Sequence, residues 1–311
     1  MRGAEIRRIR RRQAAADRPL CHQLTAVILS MACACMLIMS AGGAANAAST
    51  AGVSSASHHV STWRLPATPA RPFAVQPNHV FTVNTTADAD NAVASDTAHV
   101  CQTVAGKCTL RAAIDAADHD TKADKIVVPA GTYTLTALGP LKPDSSMLIV
   151  GAGGRKTFID GADTYQIFDI NSTTGAAVEI DDMTLRHGAS TDGGAVSADG
   201  AQVTLGFDIL THNAAVTAGG AVYVADASLW MNNSIVSANT AKYGGGLDTE
   251  AGGVQLSDDT IGGSQAADGN HASTVGGGVE NDDGTTSVVN TNIDFNSAGG
   301  YGGGVDSDSP L

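Results

Sequence analysis

Gly219-Gly220-Ala221-Val222 is the stretch that decides the fold, because close variants of it recur at regular distances along the chain. The other four are Gly193-Gly194-Ala195-Val196, Gly244-Gly245-Gly246-Leu247, Gly276-Gly277-Gly278-Val279 and Gly302-Gly303-Gly304-Val305. Their final apolar residues are 26, 25, 32 and 26 positions apart. A period of roughly 20–50 residues is typical of a solenoid. The glycines are interpreted as structural, since they permit positive φ and close approach of neighbouring backbones.

A second series keeps the same period. It consists of Leu185-x-x-Gly188, Leu210-x-x-Asn213, Val236-x-x-Asn239, Ile261-x-x-Ser264 and Ile293-x-x-Asn296, spaced by 25, 26, 25 and 32 residues. Because Asn tolerates left-handed backbone and stacked amides can share hydrogen bonds, Asn213, Asn239 and Asn296 are predicted to form a ladder. The longer repeat predicts an inserted loop at 265–275, bulging from one face.

Short apolar runs within each repeat alternate with period two, as half-buried strands do. Examples are Val178-Glu179-Ile180, Val203-Thr204-Leu205, Leu229-Trp230-Met231 and Val254-Gln255-Leu256. No window between 176 and 311 keeps a helical period, and each glycine would cost ~1 kcal/mol inside a helix. The sequence therefore predicts an all-β, single-stranded right-handed parallel β-helix of about seven coils, each with two or three strands and about 25 residues.

The N-terminal part is predicted to direct export. Seven arginines precede residue 19, an apolar stretch follows from Leu24 to about Ala41, and Ala45-Asn46-Ala47 offers a cleavage site. Residues 1–47 are interpreted as a signal peptide, with an uncleaved anchor as the alternative. Residues 48–79 read as a flexible linker. Removing the signal leaves 11 basic and 29 acidic residues, a net charge near −18, which argues against nucleic acid and anionic membranes as partners.

Residues 80–120 are assigned to an N-terminal cap, because the first coil of a solenoid needs a cover. Val80-Phe81-Thr82-Val83 predicts a strand, and the spacing of apolar residues over 110–117 predicts a helix with Thr109 as its N-cap. Only Cys101 and Cys108 remain after signal removal, so a disulfide between them is expected. The β-helix itself is assigned to 121–311 and, since the chain stops partway through a coil, it is expected to be truncated there.

Several segments resemble a known family. Phe81-Thr82-Val83-Asn84-Thr85-Thr86-Ala87-Asp88 and Cys108-Thr109-Leu110-Arg111-Ala112-Ala113-Ile114 resemble the CSLREA domain of secreted bacterial β-helix proteins, and Pro129-Ala130-Gly131-Thr132-Tyr133 fits the same pattern. The chain departs from that motif at Thr109, where the family has Ser, and at Ala112, where it has Glu. The two repeat series resemble those of polymorphic outer-membrane proteins, with a pectate-lyase-like fold. The resemblance implies a secreted or surface-displayed β-helix, often adhesive.

Two classes of function stay open on the sequence. The first is a non-catalytic scaffold, secreted or at the cell surface, for adhesion or for binding a glycan or a protein. The alternative is an extracellular polysaccharide lyase or glycoside hydrolase on the same fold. Between 176 and 311 the basic residues are only Arg186 and Lys242, with His187, His212 and His271 besides, and none lies beside the main acidic cluster in the repeat. The sequence therefore favours the non-catalytic scaffold over an enzyme, and it identifies no catalytic residues.

One acidic constellation stands out. The strands that follow three of the glycine motifs carry Asp248, Glu250, Glu280, Asp282, Asp306 and Asp308. With Leu247, Val279 and Val305 inward, all six carboxylates are expected to point outward, with like charges ~5 Å apart in adjacent coils. We hypothesise that this face binds Ca²⁺, which prefers oxygen ligands; the alternative is a solvated acidic face. No other cofactor is expected, the mature chain is expected to lack a membrane span, and we expect a monomer.

Overall fold

The structure is a computed structural model that describes residues 77–92, 99–119, 122–172, 175–308 and 311. The predicted signal peptide and nearly all of the predicted linker lie outside these residues. Within them, no helix is long and apolar enough to cross a membrane. The described part is all-β, with parallel strands stacked as a β-solenoid of about seven coils, as the repeats predicted.

The first elements build the cap and the less regular coils. They are β1 (Val80–Thr82), α1 (Leu110–Ala117), β2 (Asp124–Val127), β3 (Gly131–Thr134), β4 (Met147–Val150), β5 (Thr157–Asp160) and β6 (Phe168–Asn171).

Five regular coils follow, and each contributes four strands rather than the two or three expected. They are β7 (Ala177–Asp181), β8 (Thr184–Arg186), β9 (Ala189–Asp192) and β10 (Val196–Asp199); β11 (Gln202–Gly206), β12 (Ile209–Thr211), β13 (Ala214–Ala218) and β14 (Val222–Ala225); β15 (Ala227–Asn232), β16 (Ile235–Ser237), β17 (Thr240–Tyr243) and β18 (Leu247–Thr249); β19 (Gly252–Ser257), β20 (Thr260–Gly262), β21 (His271–Val275) and β22 (Val279–Asn281); and β23 (Thr285–Val289), β24 (Asn292–Asp294), β25 (Ser297–Ala298) and β26 (Val305–Ser307). The extra strand is the one between the second series and the glycine motif, which the sequence pattern left unassigned.

Equivalent strands of successive coils pair in parallel and form four sheets. Sheet A contains β1, β2, β4, β7, β11, β15, β19 and β23; sheet B contains β3, β5, β8, β12, β16, β20 and β24; sheet C contains β9, β13, β17, β21 and β25; and sheet D contains β6, β10, β14, β18, β22 and β26. The last residues of the glycine motifs are register partners in successive strands of sheet D, and we call such a column of stacked residues a file. This file contains Val196, Val222, Leu247, Val279 and Val305. The predicted stacking of the repeats is thus confirmed.

The chain turns at four corners per coil, and each corner uses residues with left-handed backbone. Between sheets C and D these are the first glycines of the motifs, such as Gly219 with φ 62°. Between sheets A and B the same conformation falls on Asp, Asn or Phe, among them Phe207 with φ 56°. Glycine is needed at the first corner because a Cβ on Gly219 would lie 2.1 Å from the carbonyl oxygen of Val222.

The asparagine ladder lies at the corner between sheets B and C, and it has a rung that the sequence did not predict. Asn213, Asn239 and Asn296 stack as expected, but Asn270 occupies the fourth position in place of Ser264. The six extra residues therefore form the loop 264–269, with a 3₁₀ turn at Ala266–Asp268, rather than a loop at 265–275. The pattern misplaced the insertion because Ser264 has the spacing of the earlier rungs.

A second ladder lies at the corner between sheets A and B and was not predicted. Asp208, Ser234, Asp259 and Thr291 succeed one another in adjacent coils, and the side-chain oxygen of each accepts the backbone N–H of the coil before it. Burial raises the pKa of Asp208 well above its usual value. Burial also raises the pKa of Asp259 to about 7, although the backbone N–H groups of Ser234 and Ser257 lower it.

The raised pKa of Asp259 predicts that acid stabilises the solenoid. The folded state binds more protons than the unfolded chain between about pH 4 and the folded pKa of about 7, so stability falls as pH rises through that range. The free energy of unfolding is expected to be higher at pH 5 than at pH 8. Replacing Asp259 with Ser, the residue of the preceding rung, is expected to reduce that pH difference by on the order of 2 kcal/mol. Urea unfolding at the two pH values measures this. The exposed Asp294→Ser serves as control, and an equal pH dependence in both variants would refute the expectation.

The predicted helix and disulfide of the N-terminal part are present. Helix α1 covers 110–117, the Thr109 hydroxyl accepts the backbone N–H of Ala112, and Cys101 and Cys108 form the expected disulfide. Arg111, which is 7 % exposed, ties the cap to the first coils through the carbonyl oxygens of Gly139 and Pro140. This part of the chain therefore covers the apolar end of the solenoid, in contact with β2.

Asp88 completes the cap by accepting hydrogen bonds from Arg111 at 2.7 Å and from Thr136 at 2.8 Å. Burial alone would raise the pKa of Asp88, but these hydrogen bonds outweigh it and hold that pKa below its usual value. The stabilisation that ionised Asp88 gives the folded state is therefore complete above about pH 4, and it is lost as pH falls through the lowered pKa. Asp88→Asn is expected to cost about 3 kcal/mol at pH 7, measured by urea unfolding. Asp90→Asn, on the exposed carboxylate beside Arg111, should cost under about 0.5 kcal/mol; equal losses would contradict the prediction.

Candidate functional site

The structure brings together three of the six predicted carboxylates. Asp248, Glu280 and Asp306 are register partners in adjacent strands of sheet D. Two of them are not solvated, however, since Asp248 is 0 % and Glu280 is 6 % exposed. Backbone of the corner between sheets C and D lies against them: a Cβ on Gly244 would sit 2.7 Å from the Cβ of Asp248. The expectation of an open acidic face is wrong for these two positions.

The other three carboxylates follow the strands at the corner between sheets D and A. The backbone N–H groups of Glu250, Asp282 and Asp308 each bond to the preceding coil, so these positions also stack. The Glu250 carboxylate accepts a hydrogen bond from the hydroxyl of Tyr223. Burial and the nearby Asp308 raise the pKa of Asp306. Over the described residues, no group of three or more His, Cys, Asp or Glu side chains is placed to hold a metal ion.

A different surface carries more varied chemistry, namely the outer side of sheet B. One file of register partners contains Phe158, Thr184, Ile209 and Ile235. Phe158 and Ile209 are partly exposed, and Ile235 is 39 % exposed. Thr184 is only 4 % exposed, so the apolar part of this surface consists of Phe158 on one side of it and Ile209 and Ile235 on the other. Exposed apolar side chains that lie together on the outside of a sheet are typical of a surface that contacts a ligand or a partner.

A polar file runs beside the apolar one, two positions further along each strand. It contains Asp160, Arg186, Thr211 and Ser237. Arg186 donates from Nε to Asp160 at 2.8 Å, and its guanidinium lies 4.8 Å from the centre of the Phe158 ring. The Ser237 hydroxyl donates to the Thr211 hydroxyl at 3.2 Å. The two files together form a stripe of mixed apolar and hydrogen-bonding groups, which we call the sheet B stripe.

Two histidines flank the sheet B stripe at the next corner. Nδ1 of His187 lies 3.2 Å from Asp160, and the ring of His187 is 6.0 Å from that of His212 in the following coil. Although burial raises it, the pKa of Asp160 is lowered overall by hydrogen bonds from the Ala162 N–H, His187 and Arg186. A carboxyl that is held ionised in this way is a poor general acid.

The sequence contained a signal for this stripe that the interpretation did not use. Asp160, Arg186, Thr211 and Ser237 are separated by 26, 25 and 26 residues, the same period as the glycine motifs. The sequence interpretation compared basic residues only with the acidic cluster around 248–308. It therefore missed Asp160, which lies one coil before Arg186 and in contact with it.

Comparisons with known proteins assign no family to this chain. No family model and no curated protein matches the chain. One solved structure that it resembles is ORF18 of Geobacillus virus E2, with a TM-score of 0.29 and 14 % identity over 58 % of this chain and 44 % of that one. The chain thus spans less than half of that protein, and so low a TM-score carries no argument. What the described residues show is a parallel β-solenoid.

Proposed function

We propose that this protein is a non-catalytic scaffold, secreted or displayed at the cell surface, whose sheet B stripe binds an extracellular glycan or protein. The observation that carries the proposal is the pairing of the partly exposed Phe158, Ile209 and Ile235 with a polar file on the outer side of sheet B. Files at a constant spacing of ~4.8 Å suit a repetitive or extended ligand. CSLREA and polymorphic outer-membrane repeats, which the sequence resembles, belong to proteins of this kind.

Export is supported by the cap. A disulfide such as Cys101–Cys108 persists in oxidising compartments and is rare in the cytosol. The predicted signal peptide over 1–47 agrees with that compartment. The high negative charge of the mature chain supports a partner other than nucleic acid or an anionic membrane.

A binding experiment with matched variants tests the proposal. Wild-type protein is screened against acidic and neutral polysaccharides and against extracellular protein preparations, and Kd is measured for each ligand found. Ile235→Glu, in the stripe, is expected to weaken binding about tenfold because it places a solvated charge in the contact. Val216→Glu, on the 77 % exposed Val216 of sheet C, should bind like wild type. Equal affinity of both variants would reject the stripe as the binding surface.

The enzymatic alternative is tested in the same screen. A lyase would release unsaturated products and a hydrolase new reducing ends, whereas a scaffold releases neither. The lowered pKa of Asp160 makes this carboxyl a poor general acid, so the assay looks for catalysis in which it acts as a base or not at all. Product formation from any polysaccharide, lost in Arg186→Gln, would replace the proposal with the enzymatic one.

Calcium binding stays a prediction for the stacked Asp248, Glu280 and Asp306. Three carboxylates in register along one file would repel one another when ionised, and a cation would relieve that repulsion. The hypothesis expects calorimetric uptake of Ca²⁺ together with a higher melting temperature, both lost in Glu280→Gln. A titration without uptake and without a thermal shift would reject it.

A further inference from the structure

We propose that the sheet B stripe contains an anion subsite, formed by Arg186, His187 and His212, that takes the carboxylate or sulfate groups of an acidic glycan. This inference rests on the proposed function and names the chemistry of its ligand.

The first support is the hydrogen-bonding capacity of Arg186. Its Nε donates to Asp160, and no other described residue accepts a hydrogen bond from the guanidinium. The side chain is 31 % exposed, so part of it reaches solvent. A guanidinium offers paired donors that match the two oxygens of a carboxylate or sulfate.

The second support is that the guanidinium is already held in place. Asp160 fixes one edge, and the Phe158 ring at 4.8 Å lies against its face. An arginine whose plane is fixed loses less conformational entropy when it binds. Asp160 itself is 12 % exposed and is committed to Arg186, His187 and the Ala162 N–H, so it presents little charge to an approaching anion.

The third support is the position of the two histidines. The Nδ1 of His187 faces Asp160, and the Nδ1 of His212 faces the Thr211 hydroxyl at 2.9 Å. The opposite edge of each ring, which carries Nε2, is directed away from these partners, and the ring centres are 6.0 Å apart. Two imidazole edges and one guanidinium thus lie in consecutive coils along the same side of the stripe.

The fourth support is the distribution of charge along the chain. Exposed Arg155 and Lys156 lie just before β5, which contains Phe158 at the start of the stripe. From 188 to 311 the chain has 15 Asp and Glu but a single basic residue, Lys242. The stripe therefore concentrates positive charge on a protein that is acidic elsewhere. An anionic ligand would be drawn to this end of the stripe and repelled from the later coils.

The experiment compares charged with neutral polysaccharides, and dextran sulfate and dextran share one backbone. Dextran sulfate is the sulfate source, oligogalacturonate is the carboxylate source, and dextran is the neutral control, each titrated into full-length protein by calorimetry. We expect both anionic ligands to bind more tightly than dextran, with an affinity that falls as salt rises. Arg186→Gln should weaken anion binding about tenfold or more, and His212→Gln several-fold.

Two controls keep the outcome interpretable. His212→Gln leaves every contact of Asp160 intact, so its effect does not depend on whether Arg186→Gln loses stability. Lys242→Gln removes a basic residue outside the stripe and should bind like wild type. Unchanged anion affinity in His212→Gln and in folded Arg186→Gln, or equal affinity for dextran, overturns the subsite. If a neutral ligand binds and Ile235→Glu weakens it, the proposed function stands while this inference fails; if no ligand binds at all, both fail.

Discussion

Asn239→Ala is expected to destabilise the solenoid by about 3–5 kcal/mol, more than any other side-chain truncation proposed for it. Asn239 is 0 % exposed, and its Oδ1 accepts both the backbone N–H of Asn213 at 2.8 Å and the side-chain amide of Asn213 at 3.0 Å. Its Nδ2 donates to the Leu210 carbonyl and to Asn270. Alanine would leave the Asn213 N–H buried without the acceptor that Asn239 supplies, at a cost of about 1–3 kcal/mol, and would also remove the hydrogen bonds to the Leu210 carbonyl and to Asn270.

Equilibrium urea unfolding followed by circular dichroism measures this loss. The matched control is Asn292→Ala, since Asn292 is exposed in β24 and its substitution should change stability by less than about 0.5 kcal/mol. Because coils interact mainly with their neighbours, hydrogen exchange should rise first in the coils of Asn213 and Asn270. A loss no larger than that of the control would mean that the ladder contributes nothing to stability.

The second large effect is expected at Gly220. A Cβ there would lie 2.1 Å from the carbonyl oxygen of Gly245 and 2.8 Å from the backbone nitrogen of Thr240, closer than real Cβ contacts allow. Both obstacles are backbone of the next coil, so they cannot move without breaking the parallel pairing. Gly220→Ala is therefore expected to cost more than about 4 kcal/mol or to prevent folding.

Gly253→Ala is the control for this substitution. Gly253 also lies in the regular coils, but its Cβ would meet only the Thr285 hydroxyl, at an ordinary 3.5 Å. The change should be neutral or slightly stabilising, because alanine restricts the unfolded chain. Melting temperature and soluble yield of the two variants give the comparison. A folded Gly220→Ala protein with wild-type stability would show that adjacent coils are not packed as closely as described.

These two positions explain why so much of the fold could be predicted from the sequence. Gly220 and Asn239 recur with the same period because every coil meets the same backbone of its neighbour. A steric or hydrogen-bonding requirement repeated in space thus becomes a periodic pattern in the sequence. The file from Val196 to Val305, the helix after Thr109 and the Cys101–Cys108 disulfide were all predicted on such local or periodic grounds.

The failures have an equally specific cause. Ser264 has the sequence spacing of the asparagine rungs, yet Asn270 occupies that position in the ladder. The spacing fails here because the inserted loop ends where the next asparagine side chain can reach the ladder, and the sequence period does not specify that point. The ladder through Asp208 and Asp259 was missed since its rungs mix Asp, Ser and Thr. These residues share a side-chain oxygen that accepts a hydrogen bond, and a search for identical residue types does not detect this common property.

The sequence by itself determined the coil period, the parallel stacking and the inward files, since these depend on side-chain size and polarity repeated at one spacing. Only the tertiary structure decided where the corners between sheets fall, and with them which outward side chains reach solvent. Asp248 and Glu280 alternate outward as predicted, yet corner backbone buries them. Asp160 and Arg186, 26 residues apart, meet because one coil brings the chain back upon itself. Solvent exposure and charge pairing depend on distances in space, which a repeat period constrains but does not specify.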